Sequence, residues 1–135
     1  MKKTAFVALL LFAACARAEG VPPVAQQEIS HLFAYLKGSG CQFGRNGSWY
    51  TPQEAVDHLN DKYQYLISHD MVATAEDFIT YAATKSSWSG KPYLVKCGNA
   101  AAAETGAWFS DELRKYRKAG AATSARRQAQ PGVPG

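Results

Sequence analysis

The fold is most constrained by residues 41–54, CQFGRNGSWYTPQE, where strand, turn and helix signals follow one another without a gap. Cys41, Phe43 and Arg45 alternate with Gln42 and Gly44, the period-two pattern of a half-buried strand. Asn46-Gly47 is the pair that best tolerates the two positive φ angles of a type I′ turn, so Ser48–Tyr50 returns as a second short strand. Thr51, Pro52 and Glu54 then form a helix start. The Thr51 hydroxyl can accept from the Glu54 N–H while the Glu54 carboxylate reaches back, and Pro52 occupies the first helical position.

The N-terminus places Lys2 and Lys3 before an apolar run from Ala5 to Ala14, followed by Ala16-Arg17-Ala18. That is the order of a cleaved secretory leader, with cleavage expected after Ala18 and residence in the periplasm. The apolar run is shorter than the roughly 20 residues of a spanning helix, so no membrane span is expected. Leu11–Cys15 offers an alternative as a lipidation signal at Cys15, with Phe12 where an aliphatic residue is usual. Without the leader, twelve basic residues face eleven acidic ones, so the sequence pI of 9.0 gives no reason to expect nucleic acid. The charge is segregated: six basic and eleven acidic residues lie between Glu19 and Leu113, then six basic and no acidic ones follow. Cys41 and Cys97 remain as an even pair in an oxidising compartment and are expected to form one disulfide.

Three- and four-residue apolar spacing predicts the helices. The first opens at Pro22-Pro23 and carries Val24, Ile29, Leu32, Phe33 and Leu36, with Gly38 and Gly40 ending it. The second runs from Pro52 to about Ser68 on Ala55, Val56, Leu59, Tyr63, Leu66 and Ile67. Thr74 caps a third, carrying Phe78, Ile79 and Ala82 to near Lys85, and Thr105 begins a fourth with Trp108, Phe109, Leu113 and Tyr116. Tyr93–Cys97 reads as a strand after the Ser86–Pro92 loop. The fold class is α+β and mostly helical, about four helices with a two- to three-stranded antiparallel element stapled by the disulfide. Residues 1–18 are the leader and 19–118 a single domain. Residues 119–135, poor in large apolar side chains, are expected as a disordered basic tail whose Arg126 and Arg127 could touch an anionic surface.

Catalytic signatures are absent: there is no phosphate-binding glycine loop, nucleophile elbow or His-Glu-x-x-His helix. His31, His58 and His69 show no metal spacing, and neither metal nor cofactor is expected. Asp57 and Asp61, four residues apart, fit a solvated helix face. The donors that remain suit an anion. Arg45 supplies a planar fork, Lys91 a point charge, and Ser86, Ser87 and Ser89 hydroxyls, with Trp49, Tyr50, Trp88 and Tyr93 as stacking faces. An alternative satisfies Arg45 internally with Glu54 or Glu76 and leaves the serines to bond turn backbone.

Four blocks resemble the YfeK-like family of small exported bacterial proteins of unknown function. They are Cys41-x-Phe43-x-Arg45-Asn46-Gly47, Glu54-Ala55-x-x-His58-Leu59-x-x-Lys62, Thr74-Ala75-Glu76-x-Phe78-Ile79, and Ser86-Ser87-x-Ser89-Gly90-Lys91-Pro92-Tyr93. The resemblance spans roughly residues 24–116 and implies a periplasmic single-domain protein; it brings no activity. The leading functional expectation is a non-enzymatic module for a small anionic or envelope-derived ligand, or a partner protein. Its candidate site residues are Arg45, Trp49, Tyr50, His58, Ser86, Ser87, Ser89 and Lys91, in a monomer or weak homo-oligomer. Two alternatives stand beside it: a hydrolase using His58 as base for a serine of the 86–89 loop, and a purely structural envelope protein.

Overall fold

The computed structural model describes residues 20–130 and Gly132; the leader expected at 1–18, with both its cleavage after Ala18 and the lipidation alternative at Cys15, lies outside the described residues. At the hairpin, Asn46 and Gly47 both take positive φ, 50° and 83°, as a type I′ turn requires. The turn joins β1 (Gln42–Arg45) to β2 (Ser48–Tyr50) with Phe43 opposite Tyr50, Gly44 opposite Trp49 and Arg45 opposite Ser48. On the other side of β1 lies β3 (Leu94–Lys96), with Phe43 opposite Val95. A fourth strand, β4 (Ala103–Glu104), extends the antiparallel sheet to the order β2-β1-β3-β4. The sequence predicts two or three strands because β4 is only two residues long at the end of an alanine run. Pairing with Leu94 and Val95 makes it a strand, overriding a weak local propensity.

The same register, with Gln42 opposite Lys96, sets Cys41 opposite Cys97, and the two are joined as a disulfide across a Cα separation of 4.4 Å. Because the half-cystines are 56 residues apart, the chain-entropy account gives the link about 4 kcal/mol.

Four helices complete the chain: α1 (Pro23–Gly38), α2 (Pro52–Ser68), α3 (Ala75–Ala82) and α4 (Thr105–Ala129). Thr51 and Thr74 each close a full capping box, with Glu54 and Asp77 respectively. The helix α3 ends at Ala82, a turn short of the expected Lys85. At the end of α2 the chain reverses in a Schellman turn, Asp70 N–H to Ile67 C=O and Met71 N–H to Leu66 C=O, with Asp70 in the left-handed region at φ 53°.

The core gathers Ile29, Leu32 and Leu36 of α1, Phe78 of α3 and Phe109 of α4, and the rings of Phe33 and Tyr63 pack on Phe78. Val24 is not part of it. At 68% exposure it faces solvent, and Ala25 and Glu28 take the buried positions the stripe assigns to the first turn and a half. The helix α4 runs to Ala129, through the stretch from Ala119 that composition reads as a disordered tail, and every residue from Arg117 onward along it is exposed. Its alanines favour helix locally, and it continues the packed part of α4 without a packing partner of its own among the described residues.

Candidate functional site

Strand alternation sorts the hairpin into two faces. Phe43, Arg45 and Tyr50 point to the α2 side, while Trp49 lies over Gly44 on the other. Between the first face and α2 is a cleft of about 280 Å³. Its floor is buried and largely apolar, made by Phe43, Leu59, Tyr93 and Thr105. The rim is polar, with Arg45 and Tyr50 from the hairpin and Glu54, Asp57 and His58 from one turn of α2, spaced so that all three share a side of the helix.

A hydrogen-bond chain runs along one wall. Arg45 Nη1 lies 2.9 Å from His58 Nδ1, His58 Nε2 lies 2.9 Å from the Tyr93 hydroxyl, and Lys62 Nζ donates to that hydroxyl at 3.1 Å. Donor inventory fixes the protons. Arginine cannot accept, so Nδ1 must, and His58 is the neutral tautomer carrying its proton on Nε2. Tyr93 Oη then accepts from both His58 and Lys62, and its own O–H is left to donate elsewhere. Burial, then the neighbouring Arg45 and Lys62 charges, hold His58 below its usual value, with Asp61 opposing. Burial and Arg45 likewise lower Lys62, and burial raises the Tyr93 phenol despite Arg45. The guanidinium of Arg45 also lies 5.3 Å from the Tyr50 ring centre, in cation–π contact.

What Arg45 lacks is a carboxylate. Among the described residues the ion pairs are His31–Glu112, Arg114–Asp111, Arg117–Glu28 and Arg117–Glu76, and Arg45 is in none of them. The expected internal pairing with Glu54 or Glu76 is therefore not formed. Glu54 is turned to the Thr51 N–H at 2.8 Å, and Glu76 belongs to Arg117 on a different surface.

The remaining candidates divide. Ser86 is buried, and its Oγ accepts from the N–H groups of Trp88 and Ser89 and from Asn46 Nδ2, each at 3.3 Å. Ser89 Oγ donates to Asn46 Oδ1 and accepts from Lys91 N–H. These two serines tie the 86–91 loop to the hairpin turn, and Ser87 is exposed. Trp49 and Lys91 line a second cleft of about 310 Å³ on the opposite face of the hairpin. A Cβ at Gly44 would come within 3.1 Å of Trp49 Cζ3, so the ring covers the glycine and has a packing role there. Arg45, Tyr50 and His58 thus come together; Trp49, Ser86, Ser87, Ser89 and Lys91 do not join them.

Besides Glu54 and Asp57, Lys62 and Thr105 contribute although neither is among the sequence candidates. Lys62 reads as part of a solvated helix face, yet its ammonium reaches the Tyr93 hydroxyl and the Lys85 carbonyl. Thr105 reads only as a helix start, but its N–H donates to the Tyr93 carbonyl at 2.9 Å and sets the residue in the cleft floor. There it is 2% exposed, and its hydroxyl has no hydrogen-bond partner. No local pattern marks Thr105, since the β3–β4 pairing places it. Among the described residues no cluster of three or more His, Cys, Asp or Glu side chains could hold a metal ion, and no helix is long and apolar enough to cross a membrane.

Fold and cleft together define a small, disulfide-stapled α+β domain with cationic donors gathered at one opening. The chain belongs to DUF5329, a family of unknown function, which matches residues 23–117. No curated protein and no solved structure matches it.

Proposed function

We propose that the protein is a non-enzymatic binding module for a small organic anion, taken up in the cleft between the β1–β2 hairpin and α2, and that it works in the periplasm as one of the YfeK-like exported proteins. The observation that carries this reading is Arg45: a guanidinium at the rim of an apolar-floored cleft, held by a neutral imidazole and an aromatic ring, and in no ion pair among the described residues. A guanidinium so placed offers its free N–H donors to a ligand carboxylate or phosphate. The leader pattern and the disulfide support an oxidising compartment. Support for the hydrolase alternative is weaker, because His58 bonds Arg45 and Tyr93 and no serine among the described residues.

The test is calorimetric titration with small alkyl and aryl carboxylates and phosphates at pH 7. Wild type should bind members of the set and Arg45→Gln should lose at least tenfold in affinity. Absence of binding by wild type, or unchanged binding by Arg45→Gln, refutes the reading.

A further inference from the structure

The cleft rim carries both signs of charge, and they are not paired with each other. Glu54 and Asp57 line the same opening as Arg45, on the turn of α2 that carries His58, yet neither forms an ion pair with it. Each carboxylate has one oxygen committed within the chain: Glu54 Oε2 to the Thr51 N–H and Asp57 Oδ1 to Gln53 Nε2, both at 2.8 Å. The second oxygen of each, Glu54 Oε1 and Asp57 Oδ2, has no hydrogen-bond partner among the described residues. A ligand that is only an anion would meet Arg45 but would also face two carboxylates. A ligand that is only a cation would meet the reverse.

The far end of the cleft adds an independent requirement. Beneath the rim the walls are Phe43 and Leu59, which leave the far end of the cleft apolar. A volume near 280 Å³ falls at the lower edge of the range for drug-sized molecules, and so fits a metabolite.

We propose that the ligand is a zwitterionic free α-amino acid with an apolar side chain, whose carboxylate meets Arg45, whose ammonium meets Glu54 and Asp57, and whose side chain lies against Phe43 and Leu59. This rests on the anion-binding reading and narrows it. The two signs of charge at the rim orient the backbone of the ligand, and the apolar floor selects its side chain.

Tyrosine, N-acetyltyrosine, tyrosinamide and phenylalanine, titrated into the disulfide-intact protein at pH 7, separate these elements. Tyrosine should bind at least tenfold more tightly than N-acetyltyrosine, which lacks the ammonium, and tenfold more tightly than tyrosinamide, which lacks the carboxylate. Glu54→Gln with Asp57→Asn should bring tyrosine down to the level of N-acetyltyrosine while leaving the latter at least as tight; glutamine keeps the capping box at position 54. Phenylalanine should bind as tightly as tyrosine, and glycine, which leaves the apolar floor empty, at least tenfold more weakly. Tyrosyl-alanine, whose tyrosine carboxyl is an amide, should bind as weakly as tyrosinamide; binding as tight as that of tyrosine overturns recognition of both charges of one amino acid. Equal binding of tyrosine and N-acetyltyrosine overturns the zwitterion and leaves the anion reading standing. Equal binding of tyrosine and tyrosinamide, with Arg45→Gln unaffected, overturns both; no binding by any of these probes overturns the zwitterion, while the anion reading falls only if the carboxylate and phosphate series also fails to bind.

Discussion

Two arginines in this molecule are used in opposite ways. Arg117, on α4, donates through Nε and Nη2 to both oxygens of Glu28 on α1, at 2.6 and 2.9 Å, and through Nη1 and Nη2 to Glu76 on α3. One guanidinium with two carboxylates joins three helices, and Glu28 is only 7% exposed. The hydrogen bonds to Glu28 and then Glu76 raise Arg117 above its ordinary value, and the bond from Arg117 is the chief reason Glu76 is held low. Arg45 is surrounded instead by groups that do not compensate its charge: a neutral imidazole, a tyrosine ring and the nearby Lys62. The difference separates an arginine completed by the fold from one the fold leaves incomplete, and only the second is available to another molecule.

The contrast breaks most directly by removing each arginine in turn. Arg117→Ala leaves the Glu28 carboxylate buried without its partner. Loss of one member of a fully buried pair costs roughly 3–5 kcal/mol, and because the Arg117 side chain is 44% exposed the expected loss is about 2 kcal/mol. Arg45→Ala removes a donor to His58 but also relieves crowding among cations, so its effect on stability should stay within about 0.5 kcal/mol. Urea denaturation of both variants measures this. Comparable losses would mean that Arg45 is structural after all.

Acid should separate the two regions along the pH axis. His58 has a folded pKa below its unfolded value of 6.5. The unfolded chain therefore binds its proton first, and stability falls as pH drops through the range just below 6.5. Glu76 is lowered from 4.5, so its contribution is complete above that value and is lost only as pH falls further, through its folded pKa. Urea midpoints across pH 3–8 should show two limbs, the upper flattened by His58→Gln and the lower by Glu76→Gln. A finer check uses imidazole NMR: Arg45→Ala removes a neighbouring cation and should move the His58 pKa upward toward 6.5. A downward or absent shift would contradict the assigned contact.

Much of the frame is legible in the amino-acid sequence. The Asn46-Gly47 turn, the Thr51 and Thr74 caps and the cysteine pair are signals whose cause lies within a few residues, or in simple counting, and all are formed. Arg45, Tyr50 and His58 are also legible as candidates, Arg45 as a planar fork of donors and Tyr50 as a stacking face. Trp49 falls outside the cleft for a reason of strand parity, Ser86 and Ser89 are spent tying their loop to the hairpin turn, and Lys91 lies with Trp49 on the opposite face. The disulfide correctly brings the 86–93 segment beside the hairpin, but only the register decides which face each side chain takes, and a one-residue change reverses it. Thr105, Glu54 and Asp57 become part of the cleft through tertiary placement alone. Val24 fails similarly, since the first turn of α1 has no neighbour on that side and helical period cannot report it.

The smallest expected effect concerns the chain beyond Arg117, where neither kind of region exists. From Arg117 to Ala129 the helix is exposed throughout, and no aromatic pair or ion pair involves a residue after Arg117 among those described. An isolated helical stretch of this length is marginal in water, sustained here by its alanines and by continuation from the packed part of α4. Ending the chain after Lys118 keeps Arg117 with Glu28 and Glu76 and removes, among the described residues, only solvated ones. The urea-derived stability should change by less than about 0.5 kcal/mol, while circular dichroism loses helical signal in proportion to the residues removed. A loss near that of Arg117→Ala would show that the extension packs on the body and supports the three-helix ion cluster; an unchanged midpoint with reduced helicity places the stabilising end of α4 at Arg117.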